Sequence, residues 1–427
     1  MPLRSDPSRR ALLAALPLAG LGTVAGSRPA MADTPVLRLT AAAGDARLAG
    51  PDGPVTPFLG YDGRQPGPVI RVRRGETLAV DLRNDLAEPT QLHWHGLRRG
   101  AADVASLPLQ PGATARHAVT PRDAGTFLYR PHLAGGEDQL RRGLAGLLIV
   151  DDARPPVHDR EIAMLLSEVG STGTTPVILV DGKPDLALEA RPNERLWLRL
   201  ANGTAHRILQ MTVPDQALTL VALDSQPCEP FRLDGGRLLL APGQRAEIMW
   251  DVAGPAGTDV PVTIVNFAGT NLAGRLAVGG SPLREAPLGT LAPLPPNPLP
   301  QAMDFRRATR LDLAVATGVA GVVTFGGRSE RSTPRDPLIR IRRGAVVTAA
   351  LRNDTAQFQA IHIEGHPARL LDGLDDGWKP FFLDTVLIAP ATTARIAFLA
   401  ETAGRFLMTA QAINDPQGPL VAAFEVG

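Results

Sequence analysis

The segment Pro68-Val-Ile-Arg-Val-Arg-Arg-Gly75 returns as Pro337-Leu-Ile-Arg-Ile-Arg-Arg-Gly344, and the residues that follow return with it. Leu82-Arg-Asn-Asp85 is matched by Leu351-Arg-Asn-Asp354, and His93-Trp-His-Gly96 by His362-Ile-Glu-Gly365. Each second copy stands 269 positions after the first, without a gap. A match of this length marks one structural unit used twice. Ala124-Gly-Thr-Phe-Leu128 set against Ala403-Gly-Arg-Phe-Leu407 extends the correspondence. A fainter third copy lies between them: Leu196, Leu198 and Leu200 alternate before Asn202, and Ala241-Pro-Gly-Gln-Arg-Ala-Glu-Ile248 parallels Gln110-Pro-Gly-Ala-Thr-Ala-Arg116. Three copies predict three similar domains.

Within each copy the apolar residues alternate, as in Ile70 and Val72 and again in Leu78, Val80 and Leu82. That is the period of a strand with one face in a core. Gly75 and Gly344 fall between such runs as turns. With 43 Gly and 40 Pro in 427 residues, the punctuation favours many short strands over long helices, and the expected fold is all-β, built of antiparallel sandwiches. The pattern lapses near Ala153-Arg-Pro-Pro156 and through the Pro-rich stretch Ser281–Pro300. The expected domains are therefore 33–154, 157–282 and 301–427, with 283–300 as an extended linker.

Charge and composition exclude several classes of function. Lys plus Arg is 44 and Asp plus Glu is 43, a net charge of +1, too balanced for a nucleic-acid binder. Hydrophobic residues make up 44% and charged residues 20%, so the chain can bury substantial cores. Past the amino terminus, no window holds the ~18 uninterrupted apolar residues that a membrane span needs. Residues 1–32 read as an export signal: Arg9-Arg10 precedes an Ala/Leu/Gly-rich run, and Ala30-Met-Ala32 supplies the small residues of a cleavage site. The paired arginines resemble a twin-arginine signal, which places the protein in the periplasm or otherwise outside the cytoplasm. Cys228 is the single cysteine; it allows no internal disulfide and reads as a small buried thiol.

The stretch from Tyr61-Asp-Gly-Arg-Gln-Pro-Gly-Pro68 through Arg83-Asn-Asp85 to His93-Trp-His-Gly96 resembles the amino-terminal signature of the multicopper oxidases. Phe127-Leu-Tyr-Arg-Pro-His132, Gly143-Leu-Ala-Gly-Leu-Leu-Ile-Val150, Gly377-Trp-Lys379 and Asp384-Thr-Val386 agree with it in the same order. The resemblance implies three cupredoxin-like domains. It also implies that strands of the first and third domains enclose three coppers, while a fourth, held by Cys and two His in the third domain, takes electrons from the substrate. In a strand, residues i and i+2 face the same way, so His93 and His95 aim two imidazoles at one point while Trp94 packs on the other face.

Carried over position by position, the family's ligand set is only partly present. The type 2 positions hold His93 and His362. The six type 3 positions hold His95, Arg130, His132, Glu364, Thr409 and Gln411, and the type 1 positions hold Gln359, Ala410 and Asp415. Ala410 stands where the resemblance calls for a thiolate that both ligates copper and conducts electrons. The residual metal candidates are His93, His95, His132, His362 and Glu364, a set of imidazoles and a carboxylate that suits copper or zinc, with one copper ion the expected cofactor. Arg130 keeps its charge at any accessible pH, and an ion pair with Glu364 is expected to neutralise it. Three functions follow as alternatives: a degenerate exported homologue with a mononuclear copper site, a copper-free periplasmic scaffold binding envelope proteins, or a working oxidase that reduces dioxygen. His366 reads as a loop residue, and His117, His158 and His206 as surface or structural ones.

Overall fold

The computed structural model describes residues 36–98, 108–132, 136–170, 176–266, 271–318, 321–371 and 378–427, so the expected export signal lies outside the described residues. Six sheets form three sandwiches, and the repeat in the sequence is a repeat of topology. In the first, the strand Leu78–Asn84 runs parallel to Val36–Ala46 and antiparallel to Thr114–Val119. In the third, Val346–Asp354 runs parallel to Thr309–Thr317 and antiparallel to Thr392–Leu399. The second repeats the scheme with Arg195–Asn202 between Arg160–Val169 and Arg245–Asp251.

The opposite sheets repeat too. Ile70–Arg73 pairs in parallel with Gly146–Asp151, and Ile339–Ile341 with Leu420–Val426. His93–His95 pairs antiparallel with Gly125–Arg130, and Gln359–Ile363 with Gly404–Ala412. The alternation expected from sequence is realised: Leu78, Val80 and Leu82 are buried in one core with Leu39, Trp94 and Phe127. Gly75 and Gly344 have φ of 85° and 81°, a left-handed turn conformation that favours glycine. The α-helix among the described residues is the short Gly136–Arg141, in keeping with the β-rich punctuation. Cys228 sits in the second core and is buried.

Residues 283–300 carry no helix or strand, yet they are fastened down. Asn297 Oδ1 accepts from Ala124 N at 2.9 Å, and its Nδ2 lies 3.0 Å from Ala124 O, Ser225 O and Gln226 Oε1. The segment is thus fastened to the first and second sandwiches at once. Beside it, the Arg98 guanidinium binds Asp123 and Glu401 and donates to Pro298 O at 3.1 Å. Buried polar groups of this kind stabilise only while every partner is present. Asn297→Ala should therefore lower unfolding stability by about 2 kcal/mol and speed proteolysis within 283–300; an unchanged denaturation midpoint and digestion rate would count against the clamp.

A second contact joins the second and third sandwiches, where Ile208 and Ala241 pack on Ala360 and Ile413. His206 lies there, buried, accepting Asn414 N on its backbone oxygen. Its Nδ1 has no partner among the described residues. Burial, reinforced by Arg207 and Arg141, pushes its pKa down to about 4. The unfolded chain then binds the extra proton between about pH 6.5 and 4, so this contribution to stability is complete above that window and is lost as pH falls through it. His206→Gln should remove up to about 3 kcal/mol of the acid sensitivity between pH 7 and 4. Urea midpoints of both proteins that fall in parallel across that range would contradict the assignment.

Candidate metal centre

The strand His93–His95 does what its i, i+2 spacing requires. Trp94 turns into the first core, 6.0 Å from the Tyr129 ring, and the two imidazoles take the opposite face. The register sets His93 across from Arg130 in one pair of strands, and His362 across from Thr409 and Thr385 in the other. One ring nitrogen from each of His93, His95 and His362 lies within 4.8 Å of the other two, and all three residues are buried. The rings of His95 and His362 stack at 4.1 Å, and those of His93 and His132 at 4.3 Å.

A buried charge network fixes His362. Its Nδ1 lies 3.1 Å from Thr385 Oγ1 and 3.3 Å from Asp384 Oδ1. Asp384 is ionised, held well below the usual carboxylate range by Arg245 and His362 against the opposing effect of burial. A carboxylate only accepts, so His362 Nδ1 carries the proton and Nε2 keeps the lone pair. That Nε2 is buried without a hydrogen-bond partner among the described residues. Arg245, fully buried, donates to Asp384 at 2.9 and 2.6 Å and lies 3.4 Å from Asp224. Asp224 in turn accepts from the backbone N–H groups of Asp384 and Thr385, both at 3.0 Å. Burial lowers the pKa of His362, and burial together with Arg130 lowers that of His95 well below the usual range. Both imidazoles are therefore neutral near pH 7, the state in which histidine ligates metals.

The expected pairing of Arg130 with Glu364 does not form. Arg130 Nη2 approaches His95 Nδ1 at 3.0 Å, a diagonal reach across the strand pair. Glu364 instead sets Oε1 3.7 Å from His93 Nδ1 and accepts Leu407 N at 3.1 Å on Oε2. Burial lowers the Arg130 pKa to about 10, which leaves the guanidinium charged.

Of the five residual candidates, His93, His95 and His362 converge, His132 covers the face of His93, and Glu364 flanks it. Arg130, His132, His362, Thr409 and Gln411 line one cavity of about 40 Å³. Gln411 donates to Ala412 O and Asp415 O, and Gln359 to Thr355 Oγ1. Asp415 lies 3.8 Å from Arg331. Ala410 faces the third core alongside Met408. His366 does lie in a loop, but it is buried against Phe398, Phe406 and Phe424.

The residues missed from sequence are Asp224, Gly243, Arg245 and Asp384. Three of them lie inside motifs read from the sequence: Gly243 and Arg245 in Ala241-Pro-Gly-Gln-Arg245, legible as a fold repeat, and Asp384 in Asp384-Thr-Val386, legible as part of a signature. A basic residue at a repeat position where the first copy has Thr114 was the available signal.

Models of the multicopper oxidase family match residues 45–155, 148–258 and 302–412. Multicopper oxidase MmcO of Mycobacterium tuberculosis is 24% identical over 428 residues, covering 83% of this chain and 80% of its own. A solved multi-copper oxidase from Pseudomonas thermotolerans is 30% identical and covers 92% of this chain and 99% of its own, with a TM-score of 0.80. Lac15 from a marine microbial metagenome is 26% identical, covering 92% of this chain and 100% of its own, with a TM-score of 0.76. With three sandwiches in the same arrangement as these cupredoxin-like proteins and a family match in each, the chain belongs to the multicopper oxidase family.

Proposed function

We propose that this chain is an exported multicopper oxidase homologue that retains a single residual copper site, on His93, His95 and His362, and no longer carries out four-copper reduction of dioxygen. The observation that carries the reading is the convergence of three buried imidazole nitrogens within 4.8 Å, a donor set suited to one copper ion. Copper bound there would supply one-electron exchange and Lewis acidity. This chain's own contribution is to hold His362 in one tautomer through Asp384 and Thr385, and to keep the rings neutral by burial.

The remaining positions do not fit the full complement. Arg130 and Thr409 offer no imidazole, Gln411 turns its amide to backbone oxygens, and Ala410 has no sulfur. The single cysteine, Cys228, lies in the second core, where burial pushes its pKa up to about 12. The paired arginines at Arg9 and Arg10 support export. One observation favours a copper-free scaffold for envelope proteins as the second reading: Arg130, a fixed cation, sits against His95.

Metal content of protein produced with added copper separates these readings. One copper per chain is expected, lost in His93→Ala and in His362→Ala, with no intense blue thiolate band. Four coppers with oxygen uptake on a reducing substrate would restore the oxidase, and no copper would leave the scaffold.

A further inference from the structure

His95 is held from three sides. Arg130 Nη2 lies 3.0 Å from its Nδ1, the His362 ring stacks on its face at 4.1 Å, and the second sandwich closes over its Nε2. A Cβ placed on Gly243 would come within 2.5 Å of that Nε2, and Gly243 has φ of 81°. Only glycine lets the backbone approach so closely. A guanidinium has five N–H donors and no acceptor, so the contact at Nδ1 requires the imidazole lone pair to be there. A neutral imidazole has one such lone pair, and the ring proton then sits on Nε2, facing Gly243. His362 is held in the opposite tautomer, with its lone pair on Nε2.

We infer that Arg130 governs the residual site: its guanidinium and a metal ion compete for the single lone pair of His95, and coordination by all three imidazoles requires Arg130 to withdraw. This rests on the reading of His93, His95 and His362 as a metal site and adds the residue that sets its occupancy. The register explains the reach. Arg130 stands opposite His93 and two residues from the position opposite His95, a diagonal that a long side chain can span. Arg130 also lines the cavity beside His362 and His132, so withdrawal has a direction. The carboxylate of Glu137 lies on that side; it lines the same cavity and favours the charged guanidinium. Metal uptake thus exchanges a guanidinium–imidazole hydrogen bond for a metal–imidazole bond, while the cation moves toward an acidic side chain.

The test is copper(II) titration of the full-length wild type and Arg130→Leu, with the number of coordinated nitrogens read by electron paramagnetic resonance. Arg130→Leu should bind copper about tenfold more tightly and gain one imidazole nitrogen, and adding His95→Ala should cancel both gains. Copper bound by the variant but not by the wild type would still support the competition while ending the single-copper reading for the native chain. Equal affinity and equal nitrogen count would overturn the competition and leave the residual site standing. Failure of both proteins to bind copper would remove both. Nitrogen-15 spectra of metal-free wild type give a reading that no variant can spoil: His95 should carry its proton on Nε2, and a proton on Nδ1 would refute the inference.

Discussion

The structure depends on how one buried cation is neutralised. Arg245 belongs to the second sandwich, donates to Thr126 O of the first at 3.3 Å, and grips Asp384 of the third with two hydrogen bonds. It is completely buried. Removing an ion from water costs several kcal/mol, which only well-placed partners offset. The partners come from all three sandwiches, so the charge is satisfied only when they meet in this arrangement. Repeated domains with similar outer surfaces have many ways to stack, and a charge that tolerates one of them supplies specificity that apolar contact does not.

The imidazole cluster is built on that junction. Asp384 serves Arg245 on one side and His362 on the other, so the residue that completes the domain contact also selects the tautomer of a candidate ligand. Two residues before Arg245, Gly243 brings its backbone against His95. The second sandwich contributes no imidazole to the cluster, yet it fixes the orientation of those from its two neighbours. Arg199, which approaches Glu247 and Thr126 at 2.8 and 3.3 Å, repeats the strategy further along the first and second sandwiches.

The fold was legible because period and repetition are properties of the chain itself. Ile70 and Val72, or Leu78, Val80 and Leu82, announce a strand wherever they occur, and an ungapped second copy announces a second sandwich. The convergence of His93 with His362 was legible through the family resemblance. The partner of Arg130 was not. Charge complementarity alone favours Glu364, but pairing across a strand is decided by register and side-chain reach, which brought Arg130 to His95 and left Glu364 to His93 and the Leu407 amide. The roles of Arg245 and Asp384 were hidden for a related reason. They lie 139 positions apart in sequence, and nothing local in either motif signals a contact that only the stacking of sandwiches creates.

The fastening of Asn297 changes what the segment after it can be. A free tether of this length would let the third sandwich explore a large volume, and its docking would carry the corresponding entropy loss. With the tether pinned at Asn297 to both preceding sandwiches, only residues 298–308 separate that anchor from the strand Thr309–Thr317. The third sandwich is thereby kept at high effective concentration over its own docking face. His362 reaches His93 across hundreds of residues of chain as though the two were near neighbours.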